Sequence, residues 1–302
     1  MNMKWLVFGS LNIDRTYHVS HLVRPGETVQ ASDMQLFAGG KGLNQAIAFA
    51  RAGIQVQFAG AVGEDGQMLL DALTLNGVDV SLVKRVKGPS GHAVIQVDQD
   101  GQNDIVILAG ANGCIDESYI DEVLSGFGKG DAVVVQNEIS CVPLILQRAH
   151  EKGMVTVWNP SPCNAGALAC DMSTVNYLVV NETEGAFFAG TDDVSGIKSR
   201  LRAMYPNTGL LLTLGEEGSF FREAGGKPYH GHVFPVKAVD TTAAGDTFMG
   251  YFFASLCRGK RLEDALYIAS AAAGISVSRP GASASIPLLN EVEEAVQAAE
   301  QG

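Results

Sequence analysis

The chain has 302 residues, 46% of them hydrophobic, and its 33 acidic residues exceed its 21 basic residues to give a net charge of −12. No basic run interrupts this acidic surplus, which argues against a nucleic acid as partner. The longest uncharged stretch, residues 153–170, contains prolines and asparagines that exclude a membrane-spanning helix.

The N-terminus and the cysteines both predict a cytoplasmic protein. A strand pattern starts directly after Lys4, so the first residues do not have the form of a signal peptide. The five cysteines show neither a CxxC motif nor zinc-ligand spacing. We therefore expect them to be reduced and mostly buried.

Short apolar runs alternate with amphipathic stretches along most of the chain. The runs predict buried parallel strands at Trp5–Phe8, Val56–Ala61, Ala132–Gln136, Val155–Trp158, Leu178–Val180 and Leu210–Leu214. The stretches predict helices at Leu43–Ala52, Met68–Leu75, Pro143–Lys152, Ile197–Tyr205, Thr247–Cys257, Leu262–Val277 and Leu289–Ala299. This order predicts an α/β fold, a three-layer α/β/α sandwich with a mostly parallel central sheet.

Two segments, 16–36 and 91–109, have strand patterns with no helix between the paired runs. In the second segment, His92–Val97 and Ile105–Leu108 flank a turn at 98–101 and predict a hairpin. Strands that leave the main sheet in this way are expected to form a small β-strand lid. Because no linker, repeat or low-complexity segment is present, we expect residues 1–302 to form a single domain.

A first glycine-rich entry into a helix is Ala38-Gly39-Gly40-Lys41-Gly42-Leu43-Asn44. It carries a cation and an amide, but glycine-rich turns before helices are common and the motif alone is weak. Gln35 and Gly42 occupy positions where a P-loop requires Gly and Ser or Thr, so this is not a P-loop. The chain also lacks a GxGxxG dinucleotide motif.

A second entry, Asp240-Thr241-Thr242-Ala243-Ala244-Gly245-Asp246, precedes an apolar helix. Small residues allow close backbone approach, and unpaired N–H groups at a helix start attract phosphate. Asp246 would then be placed to remove a proton from an alcohol that attacks the phosphate. The alternative is that Asp246 only caps the helix.

Six motifs, in this order, resemble the ribokinase-like (PfkB) carbohydrate kinases over nearly the whole chain. They are Gly9–Asp14, Gly39–Asn44, Asn181–Glu184, Thr213–Gly218, Asp240–Asp246 and Arg279–Ala282. The resemblance implies a ribokinase-like fold with a lid over the sugar, an ATP-dependent phosphotransfer, and dimerisation through the lid.

The resemblance also implies a sugar site. An ionised carboxylate such as that of Asp14 can accept two hydrogen bonds from a cis-diol, although an aspartate here could equally form a turn. The positions that match the family's substrate residues are Asn12, Asp14, Gly39, Gly40, Lys41, Asn44, Glu138 and Asp246.

For the nucleotide, the resemblance assigns Asn181, Glu184, Thr213, Gly215, Gly218 and Gly245, with Glu184 holding Mg²⁺ through water. Asn181 and Glu184 also match a helix-capping pattern, and both interpretations can hold. The segment from Thr213 to Gly218 could be a plain hairpin turn. Ser270 stands where many relatives have Asn, so the adenine contacts stay open.

A monovalent cation site, for K⁺, is implied at Asp240, Thr242, Ser276, Arg279, Gly281 and Ser285. Most of these residues would contribute backbone carbonyls, and Ser285 could contribute its hydroxyl. The alternative is that these loops only close the anion site.

Together, these residues predict an ATP-dependent kinase that phosphorylates the primary 5-hydroxyl of a pentofuranose, with D-ribose as first choice. Asp246 would be the general base, and the backbone N–H groups of Ala243, Ala244, Gly245 and Asp246 would stabilise the transferring phosphoryl. Alternatives are a relative acting on a nucleoside, deoxyribose or a ketohexose, or a non-catalytic regulator that binds sugar or nucleotide.

Overall fold

The computed structural model describes residues 3–301. Nine strands form one large sheet: β1 Trp5–Phe8, β4 Val56–Val62, β5 Asp79–Arg85, β8 Ala132–Gln136, β9 Val155–Asn159, β10 Tyr177–Asn181, β11 Gly209–Thr213, β12 Ser219–Arg222 and β13 Pro228–Gly231. Their order is β13-β12-β11-β10-β9-β8-β1-β4-β5, parallel except at β12 and β13.

Alternation along the central strand β1 divides the core between two helical layers, because successive side chains of a strand point to opposite faces. Trp5 and Val7 pack into the first layer, and Leu6 and Phe8 pack into the second. The first layer contains α1 Lys41–Arg51, α2 Gln67–Leu75, α8 Ala244–Cys257, α9 Leu262–Val277 and α10 Leu289–Gln301. The second contains α3 Glu117–Leu124, α4 Val142–Glu151, α5 Ala165–Leu168, α6 Glu182–Ala189 and α7 Val194–Met204.

Four further strands form a separate small sheet: β2 Asn12–His18, β3 Asp33–Gly39, β6 Gly91–Val97 and β7 Asn103–Leu108. Their order is β3-β2-β6-β7, with β2 and β6 parallel and the outer pairs antiparallel. Within residues 3–301, none of the helices in either region is long and apolar enough to cross a bilayer.

The three-layer prediction is confirmed, and the ends of the six predicted strands of the main sheet agree with the observed ones to within one residue. The hairpin of β6 and β7 also forms, with His92 opposite Leu108. The first strand-rich segment is displaced: β2 begins at Asn12 and β3 ends at Gly39, outside the expected 16–36. Asn12 and Asp14 therefore lie in a strand of the small sheet, and not in a turn after β1.

Two further expectations need correction. The strand β5 and the helix α3 were not predicted, because elements of only seven and eight residues offer few positions for a periodic pattern. The cysteines are unpaired, but only Cys170 is buried, whereas Cys114, Cys141 and Cys257 are exposed. A small, weakly polar thiol tolerates either environment, so composition did not determine its burial.

Helices α1 and α8 pack in parallel and in close contact. Asn44 in the first turn of α1 contacts Asp246 in the first turn of α8. One turn further along both helices, Gly250 lies against Ala48 so closely that a Cβ on Gly250 would come within 2.5 Å of the Ala48 Cβ. The glycine therefore sets the distance at which the two helix N-termini lie side by side.

We predict that Gly250→Ala destabilises the protein although alanine is the better helix former by about 1 kcal/mol. The added methyl must push α1 away from α8, because its neighbours include the Ala48 carbonyl carbon at 2.9 Å. Overpacking of this kind costs about 1–3 kcal/mol, measurable by urea unfolding. Gly128→Ala is the control, since a Cβ there meets no atom within 4 Å. Equal stability of the two variants would contradict the close-contact interpretation.

Candidate active site

Two cavities meet at the carboxyl ends of the parallel strands, where α/β proteins bind ligands. The first, of 330 Å³, is polar and is lined by Lys41, Gln45, Asn159, Asn181, Glu184 and residues 241–246, among others. The second, of 310 Å³, is mainly apolar and is lined by Val233, Phe234, Val236, Phe248, Val277 and neighbouring residues. They share Thr213, Thr241, Ala244 and Gly245, so one elongated ligand could occupy both.

The second glycine-rich entry forms the start of α8 at the junction of the cavities. Ala243 adopts a left-handed conformation with φ 61°, and its carbonyl accepts the N–H of Thr247. Ala244 donates its N–H to the carbonyl oxygen of Thr241 at 3.2 Å. In the described part of the chain, the N–H groups of Gly245 and Asp246 have no protein acceptor. They provide the open positive end of the helix expected of an anion site.

The carboxylate of Asp246 is held in place by amides of α1. It is 7% exposed. Gln45 donates its side-chain amide to Oδ1 at 2.8 Å, and Asn44 approaches Oδ2 at 3.4 Å. The side chain therefore faces the first helix and the polar cavity, and it does not act as the N-cap of α8, which is Ala243.

Glu138 and Ser10 cap the first glycine-rich entry. Glu138 accepts the backbone N–H of Lys41 at 2.9 Å and a short hydrogen bond from the Ser10 hydroxyl. Burial disfavours the charge on the Lys41 ammonium, but the carboxylates of Asp246, Glu138 and Glu184 outweigh it and raise the pKa of Lys41. Lys41 thus lines the polar cavity together with the acids Glu184 and Asp246, and Glu138 lies close behind it.

Asp14 lies against Gly39 on the neighbouring strand of the small sheet. A Cβ on Gly39 would occupy the space of the Asp14 carboxyl group, which explains the glycine. Burial, assisted by the charge of Glu138, raises the pKa of Asp14 to about 7. Gly40, with φ 94° at the N-cap of α1, turns the chain from β3 into the helix.

Two asparagines beside these acids are oriented by their neighbours. Asn12 accepts a hydrogen bond from Asn112 at 2.8 Å, which leaves its own amide N–H groups for a ligand. Asn44 uses its amide nitrogen toward Asp246, and its Oδ1 is buried without a partner in residues 3–301. A buried acceptor without a donor is costly, and a ligand hydroxyl would satisfy it.

The capping interpretation of Asn181 and Glu184 is confirmed. Asn181 accepts the N–H of Glu184 at 2.8 Å, and Glu184 Oε2 accepts the N–H of Asn181 at 3.0 Å. Both residues nevertheless line the polar cavity, and Glu184 is only 8% exposed. The capping box fixes a carboxylate at the cavity wall, so its local and functional interpretations are compatible.

The segment between β11 and β12 connects an antiparallel hairpin, as the hairpin interpretation predicted. It contains a short 3-10 helix, Gly215–Glu217, and Thr213, Gly215 and Gly218 all line the apolar cavity. Ser270, on the other wall, accepts the backbone N–H of Phe234 at 2.8 Å. Its hydroxyl is therefore engaged in holding the wall of the cavity.

Five of the six residues assigned to the cation form two hydrogen-bonded groups at residues 240–246, called the anion loop below. Asp240 accepts the N–H and hydroxyl of Thr242 and the N–H of Gly281, and these bonds outweigh burial to lower its pKa. Ser276 and Ser285 are buried, with their hydroxyls 2.8 Å apart. The Arg279 guanidinium points to Glu291 in α10. Of Arg279, therefore, only the backbone atoms could contact a bound ion.

Four polar residues that organise the site were not predicted from the sequence. Gln136 and Asn159 end strands β8 and β9, and Gln45 and Asn112 are buried amides. The position of an amide at the last residue of a buried strand was a usable signal for Gln136 and Asn159. The contacts of Gln45 and Asn112 join residues about 100 or more positions apart and could not be inferred from spacing.

Comparison with known proteins agrees with this geometry. The model of the pfkB family carbohydrate kinases matches residues 3–289. A ribokinase from Schizosaccharomyces pombe is 36% identical over 307 residues, covering 95% of this chain and 96% of the relative.

The chain is also similar to solved structures of ribokinases. A ribokinase from Cryptococcus neoformans in complex with ADP is 36% identical, with a TM-score of 0.84 over 97% of this chain and 99% of the other. An Arabidopsis thaliana ribokinase complexed with ribose and ATP is 30% identical, with a TM-score of 0.87 over 98% and 99%.

The raised pKa of Asp14 predicts a pH dependence of stability. In the unfolded chain Asp14 loses its proton near pH 4, whereas the folded protein retains it until about pH 7. The folded state binds more protons in this window, so stability decreases as the pH rises from about 4 to 7. Asp14→Asn removes this loss of stability. Each unit of pKa shift corresponds to about 1.4 kcal/mol in the free energy of unfolding.

Urea unfolding at pH 4.5, 6 and 8 measures the effect. The stability gain of Asp14→Asn over the unmodified protein should grow with pH. Asp33→Asn is the control in the same sheet, because a hydrogen bond from Gln35 lowers the pKa of Asp33 and keeps it ionised throughout. A stability gain that does not change with pH would show that the pKa of Asp14 is not raised in the folded protein.

Proposed function

We propose that this chain, which belongs to the pfkB family of carbohydrate kinases, transfers the γ-phosphoryl group of ATP to the 5-hydroxyl of D-ribose. The named relatives and the ribose and ATP complex support this substrate pair. The observation that carries the proposal is the unpartnered, buried Oδ1 of Asn44 beside Asp246, because it calls for a hydroxyl at the position of the base.

On the sugar side, each polar group has a hydrogen-bond donor or acceptor that a sugar hydroxyl could use. Asp14 accepts hydrogen bonds from the two hydroxyl groups of a vicinal diol, which its carboxylate does when ionised. Asn12 donates its free amide hydrogens, and Asn44 accepts through Oδ1. Gly39 leaves space for the Asp14 carboxyl group, and Gly40 turns the chain into α1. The second oxygen of Glu138 accepts another hydroxyl.

At the transfer site, Asp246 accepts the proton of the 5-hydroxyl as general base. The open N–H groups of Gly245 and Asp246, with Ala243 shaping the turn, stabilise charge on the transferring phosphoryl group. The N–H of Ala244 already donates to Thr241, so we do not assign Ala244 this donor role. Lys41 neutralises charge on the same group.

On the nucleotide side, the polar cavity takes the phosphates and the apolar cavity takes the adenosine, along Thr213, Gly215 and Gly218. Asn181 and Glu184 form the wall beside the outer phosphates. The fixed, mostly buried carboxylate of Glu184 fits a Mg²⁺ held through water. When bound, Mg²⁺ neutralises charge on the phosphate oxygens.

A monovalent cation, K⁺, fits the oxygen-rich group around Asp240, Thr242, Ser276, Gly281 and Ser285. Arg279 would contribute only its backbone carbonyl, since its side chain is paired with Glu291. With the ion bound, these residues would hold the anion loop so that the N–H groups of Gly245 and Asp246 point toward the phosphoryl group.

The small sheet exposes apolar side chains on its two edge strands, together called the apolar patch here: Met34, Leu36 and Phe37 of β3 and residues 105–108 of β7. Val106 is 70% exposed on the edge strand β7. Unpaired edges and apolar faces of this kind are usually covered. We propose that residues 1–302 form one kinase domain whose small sheet is both a lid and the contact of a homodimer.

The unpaired thiols and the use of ATP support a cytoplasmic location.

Asp246→Asn should retain the fold and sugar binding but reduce turnover about 10²- to 10⁴-fold, the usual contribution of a general base. The assay uses ATP with D-ribose, 2-deoxyribose, D-fructose and adenosine, and D-ribose should give the highest kcat/KM. Asp264→Asn, an exposed aspartate paired with Arg261, is the control and should be fully active. Near-normal turnover of Asp246→Asn would remove the base assignment.

Replacing Na⁺ by K⁺ at constant ionic strength and fixed Mg²⁺ should raise turnover several-fold and raise the unfolding midpoint. ATP affinity should change less, because the loop acts mainly on charge that develops in the transition state. Ser285→Ala should blunt both effects, and Ser278→Ala, with an exposed side chain in the same segment, should not. Identical rates and midpoints in the two salts would reject the cation.

Sedimentation velocity at micromolar concentration should give a dimer. Val106→Arg should convert it to a monomer, because a charge placed in the covered patch would be desolvated. Leu75→Arg is the matched control, since Leu75 is 86% exposed on α2, outside the small sheet. A monomeric unmodified protein would refute the dimer.

A further inference from the structure

Two buried glutamines connect the base carboxylate to the ends of neighbouring strands. Gln45 is 1% exposed and Gln136 is fully buried. The amide nitrogen of Gln136 donates to Gln45 Oε1 at 2.6 Å. The amide nitrogen of Gln45 donates both to Asp246 Oδ1 at 2.8 Å and to Asn159 Oδ1 at 3.1 Å. Asn159 in turn lies 3.5 Å from Glu184.

The orientation of both amides follows from Asp246. An ionised carboxylate only accepts hydrogen bonds, so Gln45 must turn its nitrogen toward Asp246 and its oxygen toward Gln136. Gln136 must then turn its nitrogen toward Gln45. Consequently Gln136 Oε1 points the other way, where it is buried without a partner in residues 3–301. Gln136 thus gives up one of its own hydrogen bonds while completing the chain to Asp246, which a purely structural amide would not be expected to do.

From this geometry we propose that Gln136 and Gln45 form a positioning relay for the base, which rests on the proposed role of Asp246. The relay occupies Oδ1 with a strong hydrogen bond. Oδ2, which Asn44 approaches only at 3.4 Å, is left as the oxygen that receives the sugar proton. Because Gln45 also binds Asn159, the relay fixes the base relative to the Glu184 wall of the cavity.

The test is a double-mutant cycle with methionine, which keeps the length of glutamine but cannot donate a hydrogen bond. Gln45→Met should lower kcat about 10- to 100-fold, because a hydrogen bond to a charged acceptor is lost. Gln136→Met should lower it less, roughly 3- to 10-fold, since Gln45 can then rotate. The KM for D-ribose should stay within about threefold in both variants, since neither residue carries a sugar contact.

The double variant is the decisive measurement. Because Gln136 acts only through Gln45, Gln136→Met should cost nothing further in the Gln45→Met background, within about twofold. Losses that multiply, or an unchanged kcat in Gln45→Met, would overturn the relay. Gln147→Met, an exposed glutamine of α4, is the matched control and should keep full activity.

Two further measurements distinguish failure of the relay from misfolding of a variant and from a wrong assignment of Asp246 as the base. If Gln45→Met does not fold, Gln136→Met decides alone, because Gln136 does not line the polar cavity: an unchanged kcat overturns the relay. In the Asp246→Asn background, Gln45→Met should have no further effect on kcat. Loss of turnover in Asp246→Asn with full activity of the glutamine variants would reject the relay and keep the base.

Discussion

The contact between α1 and α8 is the constraint on which the site depends. Gly250 against Ala48 lets the two helices run in parallel at short distance, and so both helix starts lie at one place. Two positive helix ends side by side repel each other. Glu138 at the start of α1 and Asp246 at the start of α8 offset this repulsion, and both carboxylates contact the first turn of α1. The same acids are the groups that the proposed chemistry requires.

The main sheet supplies the other half of the arrangement. β1 lies between β8 and β4, so the strand order reverses direction around it, and ligands of α/β proteins bind beside such a point. Gln136, Asn159 and Asn181 end three successive strands at this edge. The amides of Asn159 and Asn181 line the polar cavity, whereas Gln136 lies behind Gln45. Residues that follow β13 form a wall of the apolar cavity. The division into a charged and an apolar chamber therefore reflects two different parts of the chain.

The small sheet combines two roles that make opposite demands on its side chains. Near its start it carries Asn12 and Asp14, whose polar groups are partly withdrawn from water, and burial gives Asp14 an unusually high pKa. Further along, Val106 and its neighbours leave an apolar surface open. A four-stranded sheet attached at one end has too little core of its own to cover both faces. Association with a second copy, as proposed above, would cover this apolar surface.

The sequence by itself determined the architecture and most of the candidate site. Alternating apolar runs gave the parallel sheet, because periodicity and strand burial are local properties. Glycine-rich helix entries at Gly39–Lys41 and Ala243–Asp246 identified the ligand side, because only small residues permit such turns. The tertiary structure decided how side chains distant in sequence meet. Asp246 is held by Gln45, and Asn12 by Asn112, across separations of 201 and 100 residues. It also decided that Asp14 belongs to the small sheet and that three cysteines are exposed. These features depend on packing between elements, and a linear pattern contains no information about which buried amide faces which carboxylate.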